Sequence, residues 1–371
     1  MTFIRLPLFV FATLLGLCAS PASAASANFL AASDPNFRYE GRFDFTDPSA
    51  PVVIWQASRI YLDFEGDTLG LRFDDIKGQA VFDAEIDGRT TLVDLRERSE
   101  PTGAEFSKLG AGRHRLMLFK RSEASAGSAR FRGLDLAAGA KTYASAAPRY
   151  RLKMEFFGDS ITAGACNEDG AADQWQDRRT HNSALSYGAF VAGAFHADFR
   201  DIAVSGMGIA TGYTPVKAGE MWDAIYPTAA SPRADLTTWK PDVLFINLGE
   251  NDDSFTKGRQ QPFPDEIYTN GYVSLVQSFR KAYPAARILI LRGGMMGGAR
   301  SERLRKPWEA VIAQVEAADP HVSHFVFTHV SAHHPRVGDH WAMASELTAW
   351  LLDQPFMKAA APATPARAAT P

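Results

Sequence analysis

The sequence predicts an α/β chain in which an all-β unit, a sandwich or jelly roll, precedes a parallel sheet flanked by helices. Three observations carry that expectation. Apolar residues alternate with a period of two through the first third of the chain, in short runs broken by Gly and Asp. Beyond residue 150 short apolar runs alternate with helical stretches, as in a sheet covered on both faces. With 371 residues, 46% apolar and 22% charged, the chain is long enough for two buried cores and is neither disordered nor fibrous in composition. A formal net charge of -3 provides no basic field for a phosphate backbone, so nucleic acid is excluded as a partner.

The amino terminus reads as a signal peptide over residues 1–24. Arg5 supplies the positive start, Leu6 to Leu17 the apolar stretch and Ala22-Ser23-Ala24 the cleavage site. The stretch is too short for a permanent span, so export to the periplasm or beyond is expected, with no membrane partner after cleavage. Leu17 stands where lipid attachment at Cys18 would require a small residue. Cleavage would leave Cys166 as the only thiol, hence no internal disulfide. There is no Cys-rich ligand set and no HExxH, so neither a metal nor a cofactor is expected.

The β unit is expected over residues 37–145. Ile60, Leu62 and Phe64 share one face, and Leu69, Leu71 and Phe73 repeat the spacing. So do Phe82, Ala84 and Ile86, after which Asp87-Gly88 closes a hairpin, and then His114, Leu116 and Leu118. Residues 140–150 read as a linker. The second unit is expected over 150–356, with strands at Leu152 to Phe157, Phe199 to Val204, Val243 to Leu248, Ile288 to Leu291 and Phe325 to Phe327. Helices are expected from Ser186 to Phe195, ending at Tyr283 before Pro284, from Trp308 to Ala317 and from Trp341 to Leu352. Residues 358–371, rich in Ala and Pro, read as a disordered tail.

In an open α/β sheet, reactive groups sit in loops beyond the carboxyl ends of the strands. Four such loops carry suitable residues. Ser160 lies in Gly158-Asp159-Ser160 directly after a strand, with its hydroxyl projecting and its own N–H free to bind an anion. The next glycine is four residues on, so this is not the GxSxG elbow. An ordinary turn with a capping serine is the alternative. Ser205-Gly206-Met207-Gly208 follows a second strand, where glycine lets a backbone N–H approach an oxyanion. Asn251 follows the buried run ending at Leu248; its amide can donate to developing charge, or merely form an Asx turn. His334 precedes the last helix and can take and return the serine proton; nine histidines leave alternatives, His340 being the nearest.

The four together resemble the SGNH or GDSL hydrolases over roughly residues 152–355. The resemblance implies an SGNH-type sheet, Ser160 as nucleophile, His334 as base, and an oxyanion hole built from Ser160, Gly206 and Asn251. Arg113-His114, Lys120-Arg121, Ile86-Asp87-Gly88 and Ser186-Tyr187-Gly188-Ala189 are similar to family 2 carbohydrate esterases. That narrower resemblance implies removal of O-acetyl groups from polysaccharides such as xylan. These hydrolases often place an Asp three residues before the His, where this chain has Ser331. A Ser-His dyad oriented by a backbone carbonyl is therefore expected. The acidic group Glu168, Asp169 and Asp173 lacks Ca²⁺-loop spacing and reads as a solvated face. Trp175, Tyr213 and Trp341, with Trp222 nearby, are candidates for a sugar platform; tryptophans mostly serve the core, so one of them is expected to stack on sugar. A lipase, thioesterase or acyltransferase on the same site stays open, as does a carbohydrate-binding protein with a vestigial site.

Overall fold

The computed structural model describes residues 28–360, and the expected signal peptide lies outside them. The first eleven strands are β1 (Asn28–Ala31), β2 (Arg38–Glu40), β3 (Phe43–Asp44), β4 (Val52–Val53), β5 (Arg59–Glu65) and β6 (Thr68–Ile86). They continue with β7 (Arg89–Arg98), β8 (Thr102–Ser107), β9 (Arg113–Lys120), β10 (Gly127–Leu136) and β11 (Thr142–Tyr143). All their pairings are antiparallel and join them into one 11-stranded sheet. Two runs expected as separate strands are one: β6 spans both, pairing β8 and β10 along its first half and β7 and β9 along its second. A register break between Ile76 and Gln79, with Asp75 and Gly78 at positive φ, turns the strand, so one strand serves both halves of the sheet. Asp87 and Gly88, at φ 52° and 79°, close the expected β6–β7 hairpin.

Two boundaries differ from the sequence reading. β1 pairs with β10 and precedes residue 37, because a four-residue run shows too little alternation to register as a strand. β11 lies within the expected linker and pairs with β5.

The second unit is a five-stranded parallel sheet of β12 (Leu152–Gly158), β13 (Ala197–Ala203), β14 (Val243–Asn247), β15 (Arg287–Met295) and β16 (Val322–Ser331), in the order β13-β12-β14-β15-β16. Helices α1 (Ser160–Ala163), α2 (Tyr187–Ala194), α3 (Ala218–Met221), α4 (Glu250–Gly258) and α5 (Asp265–Ala282) come first. They are followed by α6 (Met296–Arg300), α7 (Glu302–Ala318), α8 (Val337–Asp353) and α9 (Pro355–Ala360). Helix α7 begins ahead of the expected Trp308 and contains Pro307. The Ser301 hydroxyl caps it by accepting the Leu304 N–H, and the buried Leu304 anchors the turn that the proline would otherwise terminate. Helix α9 runs to Ala360, so the expected tail begins later than residue 358; the remainder lies outside the described residues. Among the described residues no helix is long and apolar enough to cross a membrane.

The carboxyl ends of three strands are flush. Gly158 pairs with Ala203 on one side and Asn247 on the other, so the loops that follow begin side by side. The chain goes from β12 to β13 on one side and then to β14 on the other, which makes this edge a topological switch point.

The β unit packs along β13. Gln56 donates to Asp201 Oδ1 at 3.0 Å and to Ala203 O at 2.9 Å, and Arg59 donates to Asp198 Oδ1 at 2.6 Å. Ile54, Trp55 and Ala124 of the β unit share a buried apolar cluster with Phe157, Ile202 and Ile246 of the parallel sheet. The interface is thus a continuation of the core.

Candidate active site

Ser160 opens α1 because Asp159 caps the helix: its Oδ1 accepts the Ile161 N–H at 3.0 Å. Gly158 is required there, since a Cβ would collide with Thr162 and come within 2.9 Å of the Asn247 carbonyl oxygen. Gly206, at φ 84°, makes the left-handed turn that aims the loop after β13 at the same place. Among the described residues neither the Ser160 nor the Gly206 N–H donates to another protein group. Both amides belong to residues that line one cleft of about 660 Å³, together with Asn251, His334, Trp175 and Tyr213.

The Ser160 hydroxyl lies 2.9 Å from His334 Nε2. On the other side of the ring, Nδ1 lies 2.6 Å from Asp173 Oδ2. A carboxylate can only accept there, so Nδ1 carries the proton and Nε2 is left as an acceptor for the Ser160 hydroxyl. The expected dyad is therefore corrected to a Ser160–His334–Asp173 arrangement. Asp173 is 161 positions before the histidine, so a search confined to the segment around His334 could not find it. A carboxylate two residues from an aromatic, in a polar loop just past the nucleophile, was the only local hint.

Arg336 clamps this acid. Its Nη1 donates to Asp173 Oδ1 at 2.7 Å and to the His334 carbonyl at 2.9 Å. Burial would raise the Asp173 carboxyl, but the hydrogen bonds from His334 and Arg336 outweigh it and hold the group below its ordinary value. The solvated-face reading is corrected for Asp173 and for Asp169, which accepts the Gln174 N–H at 2.8 Å, while Glu168 is exposed as expected and pairs with Arg121. Cys166, Asp173 and His334 bring potential ligand atoms within 4.8 Å of one another. Both Asp173 oxygens are already engaged, burial pushes the Cys166 thiol up and its Sγ turns to Gln174 O, so the trio fits a metal site poorly; only Asp173 and His334 belong to the hydrogen-bonded chain that reaches Ser160.

His340 is no rival. It is fully buried, its Nδ1 accepts the Tyr187 N–H at 3.1 Å, and burial lowers it to about 3, so it stays neutral.

Asn251 reaches the cleft, and its Nδ2 has two protein acceptors: Asp159 Oδ2 at 3.0 Å and Met207 O at 2.9 Å. Those two acceptors fix the orientation of the amide and tie the nucleophile turn to the Gly206 loop. Burial, with the charges of Glu250 and Asp252 adding to it, raises the Asp159 carboxyl to about 8.

The three aromatic expectations divide. Trp175 lines the cleft, its ring meeting His334 edge-on at 5.0 Å and His181 at 5.2 Å. Tyr213 also lines it and is exposed. Trp341 does not: it sits on the outer face of α8, 63% exposed and packed on Phe190, where helical periodicity turns it away from the sheet end. Trp222 is partly buried against Phe279 in the core. Glu123, Ser125 and Arg178 also line the cleft and were not singled out by sequence.

A strand-end serine, its imidazole and two free amides on a parallel sheet define a serine hydrolase of the GDSL type. A GDSL-like lipase/acylhydrolase family model matches residues 156–349, and a model for the carbohydrate esterase 2 N-terminal region matches residues 39–146. The chain belongs to the GDSL-like lipase/acylhydrolase family and, within it, to the family 2 carbohydrate esterases, a class of carboxylic ester hydrolases. It is 32% identical to a cellulase/esterase, CelE, of Acetivibrio thermocellus over 85% of this chain, but spans only 39% of that relative's length. It is 28% identical to an acetylxylan esterase/glucomannan deacetylase of Cellvibrio japonicus, covering 81% of this chain and 85% of that one. Among solved structures it resembles a family two carbohydrate esterase from Clostridium thermocellum in complex with cellohexaose, with a TM-score of 0.74 at 30% identity, covering 85% and 98% of the two chains. A family two esterase structure from Cellvibrio japonicus, at 22% identity and a TM-score of 0.77, shares the fold over 90% of this chain and 98% of that one.

Proposed function

We propose that the protein is an exported serine esterase that removes O-acetyl groups from carbohydrate through an acyl-enzyme. The observation that carries this reading is the continuous chain Ser160 Oγ–His334–Asp173 beside two uncommitted amides in one cleft. His334 Nε2 takes the Ser160 proton as the oxygen attacks the ester carbonyl, and Asp173 stabilises the imidazolium that results. The Ser160 and Gly206 N–H groups receive the oxyanion, and Asn251 supplies a third donor by sharing the N–H now directed at Met207 O. The imidazolium returns its proton to the leaving sugar hydroxyl. A water activated by the same nitrogen then hydrolyses the acyl-enzyme, releasing acetate and regenerating Ser160.

The relatives named for acetylxylan and glucomannan point to acetylated plant polysaccharide as substrate, and Trp175 and Tyr213 offer aromatic surface for the sugar. Acetate release from acetylated xylan and acetylated glucomannan, compared with Ser160→Ala, tests the reading. Release that survives in Ser160→Ala, or none from either polymer with wild type, overturns it.

A further inference from the structure

Two loops that build the site are held from outside the parallel sheet. The segment between α1 and α2 carries Asp173 and Trp175, and the β unit grips it at several points. Gln79 Oε1 accepts the Arg178 N–H at 2.8 Å, and Gln79 Nε2 donates to Asp177 Oδ1 at 3.0 Å. The Arg121 carbonyl accepts the Ser183 N–H at 3.0 Å, while its guanidinium donates to Arg179 O at 3.0 Å and pairs with Glu168. The Gly206 loop is gripped as well, by Glu123: its Oε2 accepts the Ser205 N–H at 3.0 Å, one residue before the free Gly206 amide.

Glu123 joins the two. Its Oε1 takes Arg178 Nη1 at 3.3 Å, and the Arg178 guanidinium lies 4.9 Å from the centre of the Trp175 ring, which in turn abuts His334. The carboxylate is nearly inaccessible, with its residue 1% exposed at the back of the cleft. Its backbone is held too. Lys120, fully buried at the end of β9, donates to Ser122 O at 2.6 Å, to Ser122 Oγ at 3.1 Å and to Glu123 O at 3.4 Å.

We propose that the amino-terminal β unit completes the esterase site, with Glu123 as a positioning residue that sets the Gly206 amide and the Trp175–His334 contact at once. The β unit is on this account a part of the catalytic apparatus and not only an attached module. Glu123 touches no reacting atom. It acts through Ser205 on one side and Arg178 on the other, so its loss misplaces donors that matter most in the transition state.

The inference rests on the esterase reading of the cleft, and the test separates the two. Full-length Glu123→Ala, Glu123→Asp and Glu123→Gln are assayed on p-nitrophenyl acetate, a small ester that needs no sugar contacts. Alanine removes the acceptor and aspartate withdraws it by one methylene. Both are expected to lower kcat about tenfold to a hundredfold with KM little changed, the scale of an ångström-sized misplacement. Glutamine keeps an acceptor oxygen at the same reach and should recover kcat to within about threefold, the worth of one ordinary hydrogen bond. Wild-type kcat in the alanine and aspartate variants overturns the inference, as does an equal loss in all three that follows a fall in Tm. If alanine does not fold, the aspartate–glutamine contrast decides alone. A wild-type enzyme that hydrolyses no ester defeats the underlying reading instead.

Discussion

The strand-end loops and the segment from Ala165 to Ser186 reach the same cleft by different physical routes. Ser160, Gly206 and Asn251 follow strands whose ends are flush, so hydrogen bonding within one sheet brings them together. The other segment contains only short 3₁₀ turns and owes its course to side chains from elsewhere: Gln79 and Arg121 of the β unit, and Arg336 ahead of α8. One acid from each region illustrates the contrast. Asp159, sealed under the strand end, is raised to about 8 by burial, whereas Asp173, facing Arg336 and His334, is held low despite partial burial. The same residue type thus serves as a buried cap and tie in one region and as an anionic partner for an imidazole in the other. A loop without regular structure can be as well determined as a strand end, provided its polar groups are satisfied from several directions.

The largest effect is expected at Asp173. If the borrowed segment matters to chemistry as much as the strand ends do, Asp173→Asn should lower kcat by about 10⁴, because the wrong imidazole tautomer then faces Ser160. Single-turnover and steady-state rates on a soluble acetyl ester measure this, and an unchanged kcat would restore the dyad. On the strand-end side, Asn251→Ala should cost about 10² to 10³ in kcat if its amide joins the oxyanion hole. A loss confined to Tm would assign it instead to the tie between Asp159 and Met207.

A smaller loss is expected in Trp175→Ala. Removing the edge-on ring should lower kcat on small esters about threefold to tenfold, the scale of one aromatic pair of about 0.5–1.5 kcal/mol. A larger rise in KM on acetylated polymer than on the small ester would mark a sugar contact.

The smallest effect is expected at the far end of the segment, where His340 accepts the Tyr187 N–H. The unfolded chain protonates this imidazole near its ordinary 6.5, while the folded chain resists until about 3. The unfolded state therefore binds more protons between those values, and stability is lost as pH falls from about 6.5 toward 3. Melting His340→Gln across pH 4 to 7 should give a shallower decline in Tm than wild type.

Much of this was legible in advance because it is local. Period-two alternation marked the β strands, and the Asp87-Gly88 turn followed from its need for positive φ. The apolar runs at β12 to β15 located the sheet and the loops of Ser160, Gly206 and Asn251, and the short run at Phe325 to Phe327, within β16, located that of His334. Trp341 was misplaced because sequence position near a site says nothing about which face of α8 a side chain occupies. The start of α7 was missed because Pro307 ends a helix by local rules, while the packing of Leu304 and Trp308 overrides them.

By itself the sequence determined what strand periodicity and short motifs encode: two units, a parallel sheet, and a candidate nucleophile, base and amide donors in loops at the strand ends. Only the tertiary structure decided the orienting acid, the neutral role of His340 and the reach of Glu123 from one unit into the other's cleft. The physical reason is range. Backbone pairing and turn preference act over a few residues, whereas a carboxylate chooses its partners through space, and 161 positions of chain separate Asp173 from the ring it holds.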